Sequence, residues 1–178
     1  MKIVAIRHTS VAVDPGICYG QTDVPVANSF QKEKDTVAAE IDGVLFDKMY
    51  SSPLTRCKLL AKSLFEKEKI VFDDRLKELN FGDWELQSWD EIYADPQGKV
   101  WMDNYQNLPA LNGESYPEMV KRVAAFLDGI KHEKYNCVAI VAHAGVIRIL
   151  KSLIDKQPID ELFKTFKPEY GSVTEFKI

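Results

Sequence analysis

Short, uninterrupted apolar runs that end abruptly on polar residues constrain this chain more than any other feature. Cys137–Ala142 (Cys-Val-Ala-Ile-Val-Ala) is the cleanest of them. Its length and composition predict a strand buried on both faces, as in a parallel sheet. His143-Ala144-Gly145 then turns directly into a helical pattern carried by Ile147, Leu150 and Ile154, with Pro158 just beyond. Ile3–Ile6 is a second such run, and it stops at Arg7-His8. Lys48–Ser51 and Ile70–Phe72 predict two more short strands.

Helical patterns fill the intervals. Ser29 to Asp42 predicts a helix with Phe30, Val37 and Ile41 on one face and Gly43 past its end. Ser52-Pro53 reads as an N-cap and first-turn proline for a helix carrying Leu54, Cys57, Leu60, Ala61, Leu64 and Phe65. Ser115-Tyr116-Pro117-Glu118 matches a capping box before Val120, Val123, Leu127 and Ile130. Ser172–Ile178 alternates, with Phe176 and Ile178 opposite Glu175 and Lys177, as in a half-exposed edge strand. Strands alternating with helices predict a three-layer α/β/α sandwich with a mostly parallel sheet. Thr9 to Asn28, with Asp14-Pro15-Gly16 and Gly20, predicts a long loop. Arg75 to Asn112 is irregular and holds all three tryptophans, Trp84, Trp89 and Trp101. At 178 residues the whole chain, 1–178, is expected to be one domain with an aromatic-rich insertion or lid around 80–112.

Composition removes several functions. Hydrophobic residues make up 46% of the chain, too many for intrinsic disorder. The longest apolar stretch, Cys137–Ile147, already contains His143 and falls short of a membrane span, so no membrane partner is expected. Arg7 and His8 interrupt the N-terminal run before it reaches the length of a signal peptide. A net charge of −4 gives no basic excess for nucleic acid. Cys18, Cys57 and Cys137 are odd in number and far apart, which suits reduced thiols and a cytoplasmic location. Three histidines without HxxxH spacing predict no metal site, and no cofactor is expected.

Ligands of open α/β sheets bind beyond the carboxyl ends of the strands. Arg7-His8, Arg56 and His143 all fall at such ends. Arg56, in the first turn of its helix, opposes the helix dipole, and a bound anion would reverse that penalty. The helix start at His143 offers free backbone N–H groups to the same anion. Two arginine forks and two histidines together suit a phosphoryl group. An alkoxide is a poor leaving group, so an acid is also required. Glu78, in Leu76-Lys77-Glu78-Leu79-Asn80-Phe81-Gly82-Asp83-Trp84-Glu85, is the candidate.

Arg7-His8-Thr9, Ser51–Arg56, Glu78–Glu85, Gly113-Glu114-Ser115 and Ala142–Arg148 occur in that order. Together they resemble the motifs of the histidine phosphatase (phosphoglycerate mutase-like) superfamily. Within it, Gly16-Ile17-Cys18-Tyr19-Gly20-Gln21-Thr22-Asp23-Val24-Pro25 is similar to the segment found in α-ribazole phosphatases, which remove a 5′-phosphate late in cobalamin assembly. The resemblance implies a phosphoglycerate mutase-like fold and a small-molecule phosphate monoester as partner, with a homodimer left open. It implies that His8 attacks phosphorus and becomes phosphohistidine. Arg7, Arg56 and His143 would bind the phosphoryl oxygens, the Ala144 N–H would assist, and Gln21 and Thr22 would flank the phosphate or leaving group. Glu78 would protonate the leaving oxygen and then deprotonate water.

Three positions depart from the pattern. Thr9 and Ala144 replace glycines. Asp14 stands where mutase-like members carry a phosphate-touching asparagine, and an aspartate there would repel a dianion, so that role is not carried over. The aromatic rings of the insertion are expected either to stack on a flat leaving group or only to pack together. The competing functions are a broad-specificity, sugar-phosphate or mutase-like enzyme and, from another class, an inactive phosphate-binding scaffold. The five charged or histidine residues named above all being present argues against the scaffold. A flavodoxin-like nucleotide module lacks support, because no GxGxxG or GxxxxGK[ST] stretch occurs.

Overall fold

The computed structural model describes all 178 residues. Five strands form one sheet: β1 (Lys2–Arg7), β2 (Lys48–Ser51), β3 (Ile70–Phe72), β4 (Cys137–Ala142) and β5 (Val173–Lys177). Their order is β3-β2-β4-β1-β5. The first four are mutually parallel, and β5 joins β1 antiparallel at the edge. The mostly parallel sheet expected from the apolar runs is therefore present. Every residue of β4, the central strand, is buried, whereas β5 buries only Phe176. Edge and centre thus differ in the way their sequence patterns differ.

Alternate residues of the strands feed two separate cores. Val4, Ile6, Met49, Ala139 and Val141 point to one face, which α1 (Phe30–Glu40) and α2 (Thr55–Leu64) cover with Val37, Cys57, Leu60 and Ala61. Ile3, Ala5, Tyr50, Val138 and Ile140 point to the other. There α5 (Tyr116–Lys131) and α6 (Ala144–Asp155) supply Val123, Phe126, Leu127, Ile147 and Leu150. Both capping-box partners of α5, Ser115 and Glu118, make their reciprocal bonds.

One expected boundary moves. The helix α2 starts at Thr55 with Leu54 at its N-cap, not at Ser52-Pro53. Ser52 is still part of the sheet end: its N–H donates to the Val141 carbonyl at 2.9 Å, and its hydroxyl lies 2.8 Å from His143 Nε2. The irregular segment resolves into α3 (Trp89–Ala94) and α4 (Pro96–Asn104). A further helix, α7 (Ile159–Thr165), follows Pro158. No helix is long and apolar enough to cross a membrane.

Candidate active site

Strand register brings the two histidines together. Arg7 pairs with Ala142 across β1 and β4, so both strands stop at the same level. The next residues, His8 and His143, leave the sheet side by side with ring centroids 5.1 Å apart. His8 is 2% exposed and His143 is fully buried. His8 Nδ1 lies 2.8 Å from the Thr9 carbonyl, which can only accept, so Nδ1 carries the hydrogen and Nε2 keeps its lone pair. Thr9 contributes that carbonyl, and its hydroxyl is buried without a partner. His143 Nε2 meets the Ser52 hydroxyl and, at 3.5 Å, the Cys57 thiol.

Burial first, and the Arg56 charge second, push the pKa of both rings well below 6.5. Both are therefore neutral at physiological pH. The stability consequence has a definite sign. An unfolded chain takes up protons on these histidines below pH 6.5 while the folded chain does not. The ligand-free protein is expected to lose stability as pH falls from 6.5 toward the folded pKa, by up to about 1.4 kcal/mol per pH unit per histidine. Thermal unfolding between about pH 7 and 5.5 should show this fall, and a His143→Asn variant should show a shallower one. A wild-type Tm that stayed flat over that interval would contradict neutral burial of the rings.

Two guanidinium groups flank the histidines, and neither meets a carboxylate. Arg56 is fully buried. Its Nη1 donates to the Thr22 carbonyl at 3.0 Å and its Nη2 to the Gly20 carbonyl at 2.6 Å, and its Nε has no partner. Arg7 donates from Nη1 to the Pro168 carbonyl at 2.7 Å, and its Nε is likewise buried and unpartnered. Each guanidinium lies over a tyrosine ring, Arg7 at 3.8 Å from the Tyr170 centroid and Arg56 at 5.0 Å from that of Tyr19. The two phenol oxygens are 2.8 Å apart.

Glu78 reaches the same place from the segment after β3. Its Oε2 accepts from the Gly145 N–H at 3.2 Å, in the first turn of α6. A Cβ on Gly145 would stand 2.2 Å from Glu78 Oε1, so a larger residue there would displace the carboxyl group from this position. The Ala144 N–H, at the first helical position, has no intrahelical acceptor and faces the same end of the sheet. Gln21 and Thr22 turn their side chains to protein partners. Gln21 Nε2 donates to the Glu78 carbonyl at 2.9 Å, and the Thr22 hydroxyl donates to Glu85. Asp14 is exposed in its turn and lies outside the cavity.

Glu85 is a residue that sequence reasoning did not single out. It accepts from the backbone N–H groups of Gln21 at 2.8 Å, Thr22 at 2.6 Å and Phe81 at 3.1 Å. It thereby fixes the loop whose carbonyls hold Arg56. Gly20, at φ +37°, gives that loop its left-handed turn, and a Cβ there would collide with Glu85 and the Leu79 carbonyl.

A cavity of about 770 Å³ opens beside these groups, with Arg7, Glu78 and Ala144 in its wall. The aromatic segment supplies Phe81, Trp89, Trp101 and Tyr105 to the same wall. Trp84 is buried against Trp101 with centroids 5.2 Å apart and does not reach the cavity. The rings of the insertion therefore both pack together and line the space next to the candidate phosphate site.

Known proteins share this fold and family pattern. Residues 3–178 match the family model of the histidine phosphatase superfamily (branch 1). Phosphoserine phosphatase 1 of Hydrogenobacter thermophilus is 26% identical over 156 residues, covering 84% of this chain and 74% of the relative. The adenosylcobalamin/α-ribazole phosphatase of Salmonella typhimurium is 24% identical over 177 residues, covering 96% of this chain and 87% of the relative. The crystal structure of the α-ribazole phosphatase from Shigella flexneri shares the fold, with a TM-score of 0.91 at 23% identity over 100% of this chain and 91% of that one. The family match runs from the first strand to the last, and the chain belongs to the histidine phosphatase superfamily as a phosphatase of that type.

Proposed function

We propose that this phosphatase works through a phosphohistidine on His8 and that its substrate is α-ribazole 5′-phosphate. The observation that carries the chemistry is the pair of arginines without a counter-ion, each with an unpartnered buried Nε, beside a neutral histidine. A buried cation lacking a partner is costly, and a phosphoryl dianion supplies the missing charge and acceptors.

The His8 Nε2 lone pair attacks phosphorus as the bond to the leaving oxygen breaks. Glu78, entering as the acid, gives its proton to that oxygen. Arg7, Arg56 and His143 hold the three equatorial oxygens, with the Ala144 N–H beside them, where charge concentrates in the transition state. Glu78, now a carboxylate, takes a proton from water. The resulting oxygen attacks phosphorus and the N–P bond breaks, returning the electron pair to Nε2 and releasing inorganic phosphate. Gln21 and Thr22 shape the site through their loop. All of this fits within a single domain, with the aromatic insertion as the wall of the leaving-group cavity.

Support for the substrate comes from that wall, since aromatic faces suit a flat ring, and from the similarity to the Salmonella relative. Steady-state kinetics with α-ribazole 5′-phosphate, phosphoserine and glucose 6-phosphate tests it. The expected kcat/KM for the ring-bearing substrate is at least tenfold above the other two. A preference for phosphoserine or for the sugar phosphate would overturn the substrate and leave the phosphohistidine chemistry standing.

A further inference from the structure

The cavity contains a second polar pair that the phosphohistidine chemistry does not use. Arg148, on α6, lines it and makes no ion pair. Its one hydrogen bond runs from Nε to the Phe166 carbonyl at 3.3 Å, and its guanidinium lies 4.3 Å from the Phe163 ring centroid. Both terminal nitrogens are without a protein partner. Tyr116, the first residue of α5, lines the same cavity, is 6% exposed, and has a buried hydroxyl with no partner. Burial draws the Arg148 pKa below its ordinary value while Glu78 opposes the shift, so the cation sits in a partly desolvated place within the field of that carboxylate. A guanidinium can only donate, and the Tyr116 phenol, whose ring packs on the same Phe163, has a proton to donate as well. The rings of Tyr105, Tyr116 and Phe163 pack on one another with centroids 5.2 to 6.1 Å apart.

Resting on the phosphatase reading, we infer that Arg148 and the Tyr116 hydroxyl form a subsite for a hydrogen-bond acceptor on the leaving group. The substrate class is a phosphomonoester whose leaving group combines a ring with a lone-pair acceptor away from the phosphate. That acceptor is either a carboxylate or an unprotonated ring nitrogen. Neutral donors and hydrocarbons leave the guanidinium and phenol unsatisfied on binding, and a site of this kind discriminates strongly against them.

Three probes with similar alkoxide leaving groups test the subsite: benzyl phosphate, 4-carboxybenzyl phosphate and 4-pyridylmethyl phosphate. The wild-type enzyme is expected to favour at least one acceptor-bearing probe over benzyl phosphate by tenfold or more in kcat/KM. Preference for the carboxylate alone identifies an anionic acceptor, and preference for the pyridine alone identifies a neutral ring nitrogen. Arg148→Met and the conservative Tyr116→Phe should each pull that ratio toward one. Because the ratio is internal to each variant, a general loss of folded protein leaves it unmoved. Equal kcat/KM for all three probes in the wild type, or a ratio that survives in both variants, would overturn the subsite. Inertness toward all three while p-nitrophenyl phosphate is still turned over would likewise overturn the subsite, whereas inertness toward p-nitrophenyl phosphate as well is the failure of the phosphohistidine reading on which it rests.

Discussion

Replacing His8 by alanine is expected to lower turnover of p-nitrophenyl phosphate by at least about 10⁴-fold. The magnitude follows from what the site lacks without the ring. His8 Nε2 is the one lone pair held free and neutral between two unpaired guanidiniums, its tautomer set by the Thr9 carbonyl. Nearby His143 cannot replace it, because its Nε2 is engaged with the Ser52 hydroxyl at 2.8 Å. p-Nitrophenolate leaves without a proton, so this substrate separates loss of the nucleophile from any fault in Glu78. Folding should survive, since the change deletes one buried hydrogen bond worth about 1 kcal/mol together with some packing. Acid-labile phosphate bound to the wild-type protein after mixing with substrate, absent from the variant, reports the N–P bond directly. Wild-type turnover is expected to continue in excess chelator. Residual activity of the variant within tenfold of the wild type would rule out phosphohistidine.

The histidines that are legible in the sequence share one property: they sit where a strand stops. The apolar runs Ile3–Ile6 and Cys137–Ala142 mark β1 and β4, and the register of parallel strands does the rest. It carries His8 and His143 to the same end without any further information. Arg56 follows from β2 in the same way. The edge strand was readable because one face is half solvated and its residues alternate.

What stayed hidden depends on contacts between distant segments. Glu85 looks like any glutamate after a tryptophan, yet its partners are Gln21 and Thr22, more than sixty residues away. Ser52 carries an N-cap signal, but the sheet end and His143 claim it, so the helix starts later. Arg148 reads as a polar interruption of an apolar helix face until α7 brings Phe163 against it and α5 brings Tyr116 into the same cavity wall. The limits of α3 and α4 had a local signal that the irregular hydrophobic pattern masked. Ser88 and Glu91 form a capping box, and Asp95 caps α4 just before Pro96. For α7, Pro158 followed by Asp160 and Glu161 is the corresponding signature of a helix start.

Arg56→Met is expected to reduce kcat/KM by at least about 10³-fold and to abolish stabilisation by inorganic phosphate. The two effects have one cause. A fully buried guanidinium with two carbonyl partners, no carboxylate and an unpartnered Nε is a cation whose counter-charge arrives only with ligand. Without phosphate its desolvation opposes folding, and methionine of similar length removes that cost. The variant instead leaves the Gly20 and Thr22 carbonyls without their donors, at about 1–3 kcal/mol each. The terms oppose each other, so the stability of the ligand-free variant should stay close to that of the wild type. The response to product separates them. Phosphate at about 100 times its Kd should stabilise the wild type by about 2.7 kcal/mol and the variant hardly at all. Arg56→Lys should not restore activity, because a single ammonium cannot span two carbonyls and still offer a planar fork to phosphoryl oxygens. Thermal unfolding of the three proteins with and without phosphate, alongside their kcat/KM, decides the matter. Full rescue by lysine would show that Arg56 supplies only charge, and an undiminished phosphate shift in Arg56→Met would place the anion elsewhere.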